Sequence, residues 1–146
     1  MYGKPKFSIF ILRFALGWMF FYAGLSKVLQ DGWTAKGYLM NATSFSGLFE
    51  WLAQPQNLIW VDFLNKWGVM ALGLALVFGV FVNFVAVLGI LLMVLYYLPG
   101  FDFPYAGEHS LLIDEHVIYS LALFLLIRLR AGKDFGIKSL FGGSSY

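Results

Sequence analysis

The sequence predicts an all-α integral membrane protein, a four-helix bundle with both termini in the cytoplasm. Three observations carry that reading. Hydrophobic residues make up 60% of the 146 and charged residues only 12%, about half the roughly 25% charge of a soluble domain. The apolar residues gather in long stretches, and roughly 20 apolar residues span the hydrocarbon core of a bilayer as a helix. The lysines and arginines are also unevenly distributed between the two sides that such a topology creates.

The first span covers about Phe7–Lys27 and is apolar apart from Arg13. Arg13 interrupts what would be the hydrophobic region of a signal peptide. Ala23-Gly24-Leu25 is also a poor small-x-small cleavage site, so the segment reads as a membrane helix. Trp67–Leu98 is too long for one span, and Gly79-Val80-Phe81-Val82-Asn83 offers its only break. The split gives a second helix over about 59–80 and a third over about 83–98, which Pro99-Gly100 ends. Ala71, Ala75 and Gly79 recur every four residues along helix 2, and Gly17 and Gly24 lie seven apart on helix 1. Both are spacings of small residues that let helix backbones approach. Gly47–Ala53 is expected to form a short interfacial helix in the aromatic-rich segment Asp31–Leu58.

The fourth helix is placed at about 111–130 by length. Only eleven residues separate His116 from Arg128, about 16 Å of helix, against a core of roughly 30 Å. Extending the span to Leu111 carries Asp114, Glu115 and His116 into the outer leaflet. With four spans, the side of the termini holds Lys4, Lys6, Arg13, Arg128, Arg130, Lys133 and Lys138, which makes it cytoplasmic. The chain reads as one domain over residues 1–138 with a flexible tail over 139–146. Its expected location is the cell membrane, as a multi-pass protein of a prokaryotic plasma membrane.

Composition excludes several functions. Without cysteine the chain has no disulfide, zinc–thiolate site or thiol relay. No basic patch with interleaved aromatics suggests nucleic acid. His109 and His116 have six residues between them, a spacing of no standard metal site, so neither metal nor haem is expected.

The candidate site lies where charge enters the apolar spans, because intramembrane ionisable groups are costly and mark function by default. Helical spacing turns Glu115 and His116 into the bundle and Asp114 toward the interface. Lys27, at the outer end of helix 1, is expected to pair with Glu115. That would leave His116 to titrate near neutral pH. Glu115, His116 and Lys27 are therefore the candidate catalytic groups, and Arg13, Tyr22, Lys66 and Tyr119 the candidate substrate contacts.

Three stretches carry a family resemblance: RFALGWMFFYAGLSKV (Arg13–Val28), WGVMALGLALVFGVFVNFVAVLG (Trp67–Gly89) and DEHVIYSLALFLLIRLRAGKDFGI (Asp114–Ile137). In order and spacing they resemble the DoxX family of four-helix membrane proteins, which includes the large subunit of thiosulfate:quinone oxidoreductase. Val69 stands where relatives often carry glutamate, and Lys138 where the closing motif usually ends in aspartate. The resemblance implies a quinone-linked redox role, with quinone as electron acceptor and thiosulfate or another reduced sulfur species as donor. Trp18, Phe21, Tyr22 and Tyr119 are expected to line the ring's pocket. The alternative is a non-catalytic anchor or scaffold for a partner oxidoreductase subunit, or a homo-oligomer. A small transporter ranks last, because four short helices leave little room for alternating access.

Overall fold

A computed structural model describes residues 5–133; the tail and the closing-motif position Lys138 lie outside them. Seven α-helices form in chain order: α1 (Lys6–Leu29), α2 (Lys36–Met40), α3 (Ser46–Leu52), α4 (Pro55–Phe63), α5 (Val69–Phe78), α6 (Val82–Tyr97) and α7 (Glu115–Arg128). A π-helical turn, Leu64–Gly68, fuses α4 to α5, and a 3-10 turn, Leu98–Gly100, ends α6. A small antiparallel hairpin, β1 (Tyr105–Gly107) and β2 (Ser110–Leu111), precedes α7. Among the described residues, three helical units are long and apolar enough to cross a membrane: Lys6–Leu29, Pro55–Phe78 and Val82–Gly100.

One core draws on all four long elements. Leu16 and Phe20 of α1 meet Val69 and Leu76 of α5, Ala86 and Met93 of α6, and Leu123 and Leu126 of α7. Neighbours run antiparallel: Gly17 lies against Val77 and Gly24 against Met70, while Gly89 of α6 lies against Leu123 of α7. The α1–α5 contact is backbone to backbone. A Cβ at Gly73 would fall 2.1 Å from the Phe21 nitrogen, and one at Gly24 2.5 Å from the Met70 nitrogen. No side chain fits there, and dispersion at that distance takes the place of a hydrophobic drive that lipid does not provide. The glycines of α1 serve as expected, but the closest backbone contact on α5 falls at Gly73 and not at Ala71 or Gly79, while Ala75 packs against the main core. Ala71 is exposed and Gly79 closes α5 at φ +69°. Gly73, on the other face, makes the contact because only a residue without Cβ admits a neighbouring backbone so closely.

The fourth helix begins four residues later than the expected start at Leu111. Ser110–Leu111 belongs to the hairpin, Leu112 is left-handed at φ 61°, and extended Asp114 caps the first turn. Aspartate is among the preferred N-caps because its carboxylate accepts the orphan N–H groups that a helix start leaves. The resulting 14 residues span about 21 Å. The second helix likewise starts earlier than Ile59. Pro55 occupies its first turn, where a missing N–H costs nothing.

Residues 31–54 fold over one end of the long helices. Ala35, Leu39, Phe49 and Ala53 make a second core against Val61. Within α3, Phe49 turns inward while Leu48 and Trp51 stay exposed. The Thr43 N–H donates to the Pro99 carbonyl at 2.8 Å, which ties this cap to the end of α6.

Candidate functional site

The site is built where α1, the π turn, α6 and the start of α7 meet beneath that cap. Lys27 stands in the last turn of α1. Its Nζ donates to the Tyr96 hydroxyl at 3.2 Å and lies 5.2 Å from the ring centroids of both Trp33 and Tyr96. Lys66 Nζ approaches Trp33 as well, at 5.6 Å. Two ammonium groups thus converge on one indole, whose π face attracts cations. Among the described residues, no carboxylate forms a salt bridge with either lysine.

The π turn explains how Asn65 and Lys66 reach the site. A wide i→i+5 turn frees a carbonyl from the α-helical pattern, and such turns concentrate at functional positions. Asn65 Nδ2 donates to the Val61 carbonyl at 2.9 Å. The same carbonyl also accepts the Leu64 N–H, and the Asn65 bond fixes the amide. Asn65 Oδ1 then accepts a short hydrogen bond from the Tyr96 hydroxyl. A continuous chain therefore runs from Lys27 through Tyr96 and Asn65 to the backbone of α4, coupling three helices by side-chain hydrogen bonds.

Asp114 and His116 flank this chain. One oxygen of Asp114 accepts from the His116 and Val117 N–H groups at 2.9 and 3.2 Å. The other lies 2.6 Å from His116 Nδ1. One carboxylate thus caps α7 and orients the imidazole, leaving Nε2 as the second functional nitrogen. The imidazole meets the Tyr96 ring edge-on, with centroids 6.1 Å apart. Tyr38 of the cap donates its hydroxyl to the Tyr96 carbonyl at 2.5 Å. Burial, and then the negative charge of Asp114, hold the Tyr38 phenol above its ordinary value, so it remains a donor well into the alkaline range.

Beside the chain lies an apolar cavity of about 160 Å³. Phe49, Leu52, Trp60, Leu92 and Leu95 wall it, and Asn65 and Tyr96 supply its polar edge. An apolar cavity of about 150 Å³ holds benzene, so this one matches a single six-membered ring. Trp60, Leu64 and Leu95 are exposed on the outer apolar surface and form its rim.

The sequence-predicted residues divide accordingly. Lys27, Lys66 and His116 converge around Trp33 and Tyr96. Glu115 is exposed, and the expected Lys27–Glu115 pair does not form, because Lys27 is engaged by Tyr96 and Asp114 takes His116. A helix start at Glu115 rather than Leu111 makes Asp114 the inward-turned cap. Tyr22 is 60% exposed on the outer surface of α1, as is Trp18, so these rings do not line the cavity. Tyr119 packs at the edge of the main core. Arg13 lies at the opposite end, fully buried, where its Nη1 donates to the Ala131 carbonyl at 2.7 Å beyond the end of α7.

Sequence reasoning missed Trp33, Tyr38, Asn65, Tyr96 and the role of Asp114. Asp114 carried a usable signal, as an aspartate opening an apolar helical run. Asn65-Lys66 also stood out as a polar pair inside an apolar stretch. Nothing in the sequence distinguishes Tyr96 from the other seven tyrosines.

The model of the DoxX family matches residues 8–99, more than half of the chain. The match takes in Lys27, Trp33, Asn65, Lys66 and Tyr96 and stops short of the Asp114–His116 pair. No curated protein and no solved structure matches the chain.

Proposed function

Because the chain belongs to the DoxX family, we propose that it is a multi-pass plasma-membrane protein serving quinone-linked electron transfer. In this reading α7 is the fourth span and completes a four-helix membrane bundle. Arg128 and Arg130 snorkel to the headgroups to make up its short length, and both termini are cytoplasmic. The observation that carries the reading is the ring-sized cavity of about 160 Å³, joined through Tyr96 and Asn65 to a pair of lysines that no carboxylate among the described residues neutralises.

A bound quinone supplies the acceptor, taking two electrons and two protons to become quinol. Phe49, Trp60 and Leu92 enclose the ring and exclude water. Asn65 keeps one amide N–H for a quinone oxygen, and Tyr96, whose own proton goes to Asn65 Oδ1, holds that amide in place. Lys27 and Lys66 draw an anionic donor to the same edge. With thiosulfate, two dianions lose one electron each and join through a new S–S bond as tetrathionate, which balances the two electrons delivered. His116, oriented by Asp114, relays protons from water.

The test is reconstitution of the purified chain in lipid vesicles with a short-tailed ubiquinone, following quinol formation by absorbance. Thiosulfate-dependent reduction is expected, and Tyr96→Phe should lower it by about tenfold, the equivalent of roughly 1.4 kcal/mol. Absence of reduction by the wild-type chain would sink the catalytic reading. A second reading, a scaffold for a partner oxidoreductase, draws on the chain's lack of cysteine, which leaves it no thiol carrier of its own. Co-purification of a stoichiometric redox subunit, with quinone reduction only in its presence, would favour the scaffold.

A further inference from the structure

At the end of the bundle opposite the lysine pair, the α5–α6 turn and the chain leaving α7 enclose an open cleft of about 700 Å³. Arg130 and Lys133 line one wall; Phe81, Asn83 and Phe84 line the other. We propose that this cleft binds the phosphate headgroup of an anionic membrane phospholipid. The site is independent of the ring-sized cavity and shares no lining residue with it.

Position, charge and shape support the assignment. Two of the membrane-length units meet here, one ending at Phe78 and the next beginning at Val82, so the cleft lies where hydrocarbon gives way to headgroups. Arg130 and Lys133 are exposed cations, three residues apart and tied by the Lys133 N–H donating to the Arg130 carbonyl at 3.0 Å. Basic pockets between membrane helices at this level take acidic lipid headgroups. The paired wall is apolar, with Phe84 65% exposed, and suits the upper part of an acyl chain. A free phosphate would find no use for it.

The cleft is also held in shape. Arg130 and Phe81 both adopt left-handed backbone, at φ 53° and 48°, a conformation that costs non-glycine residues energy and persists where the surroundings impose it. A Cβ at Gly132 would meet Val82 at 3.2 Å, so the chain after α7 packs tightly on the start of α6. Arg13 fastens the same segment through Ala131. The two cations are therefore presented from a fixed loop.

The experiment is native mass spectrometry of the full chain purified in mild detergent with equimolar phosphatidylglycerol and phosphatidylcholine. The wild type is expected to retain phosphatidylglycerol in preference. Near an anionic surface each Lys or Arg contributes roughly 1 kcal/mol, or about fivefold. Arg130→Gln with Lys133→Gln should therefore erase most of the preference, and Arg130→Lys with Lys133→Arg should keep it. Lys36→Gln, which removes an exposed lysine at the other end, should leave it intact. Equal retention of both lipids by the wild type, or an equal loss in Lys36→Gln, would overturn the proposal. So would displacement of the lipid by millimolar inorganic phosphate, which would identify free phosphate as the ligand.

Discussion

The two ends of the bundle treat a cation withdrawn from solvent in opposite ways, fully buried at one and half-buried at the other. At one end Arg13 is fully buried and donates to a backbone carbonyl beyond α7, with its guanidinium 5.5 Å from the Phe10 ring. At the other, Lys27 rests on a tyrosine hydroxyl and two aromatic faces, with Lys66 close by. A guanidinium donating to a backbone carbonyl of a distant segment is a fastener, because losing it removes a buried charge-assisted hydrogen bond. An ammonium held by aromatic faces keeps its charge available to a further partner. The first arrangement ties α1 to the segment after α7, and the second gathers two cations around one indole.

The contrast can be broken at its base. Gly73→Leu would drive side-chain atoms into the Phe21 backbone, which allows a Cβ only 2.1 Å. It should separate α1 from α5 and disrupt both ends together, costing at least about 3 kcal/mol. Loss of monodisperse protein in detergent would register this, and a variant that stayed monodisperse with unchanged melting would refute the seam.

Substituting the cations should then separate their roles. Arg13→Met removes a charge-assisted bond worth about 2 kcal/mol and should lower the melting temperature. Lys27→Met should cost under about 1 kcal/mol of stability, since its partners are aromatic faces and one hydroxyl. It should nevertheless reduce quinone turnover by about tenfold or more. Thermal melts beside turnover assays decide the matter, and equal melting losses in the two variants would erase the distinction.

The smallest effect concerns the cap. Tyr38→Phe deletes the hydrogen bond to the Tyr96 carbonyl and should cost about 1 kcal/mol at neutral pH, since Tyr38 is about half exposed (49%). The sign follows from its raised phenol. A group with a folded pKa above the unfolded value contributes stability below about pH 10, and that contribution fades as pH rises through the folded value. The gap between wild type and Tyr38→Phe should therefore close under strongly alkaline conditions. Denaturation curves across that range measure it, and a gap independent of pH would show that the hydroxyl proton is not what holds the cap.

How legible this was depended on the kind of signal each residue gives. Lys27, Lys66 and His116 declared themselves because ionisable groups inside apolar runs are conspicuous. Trp33 and Tyr96 did not, because aromatic residues make up 20% of the chain and most of them face outward. The exchange of Glu115 for Asp114 shows how fragile direction is. With the start at 115 instead of 111, Asp114 is an extended N-cap whose carboxylate folds back over the first turn to the imidazole, not a helical side chain pointing away from it.

By itself the sequence determined the membrane class, the order of apolar helices, the break at Gly79–Asn83 and the family. These follow from composition, run length and local motifs, which need no knowledge of neighbours. Only the tertiary structure decided that α4 and α5 join through a π turn and that residues 31–54 fold into a cap. It also made Gly73, not Ala71, the place where backbones touch, and linked Lys27, Tyr96 and Asn65 beside a ring-sized cavity. Those features arise from contacts between segments distant in the chain, where the fit of one surface against another selects among arrangements that local sequence leaves nearly equal.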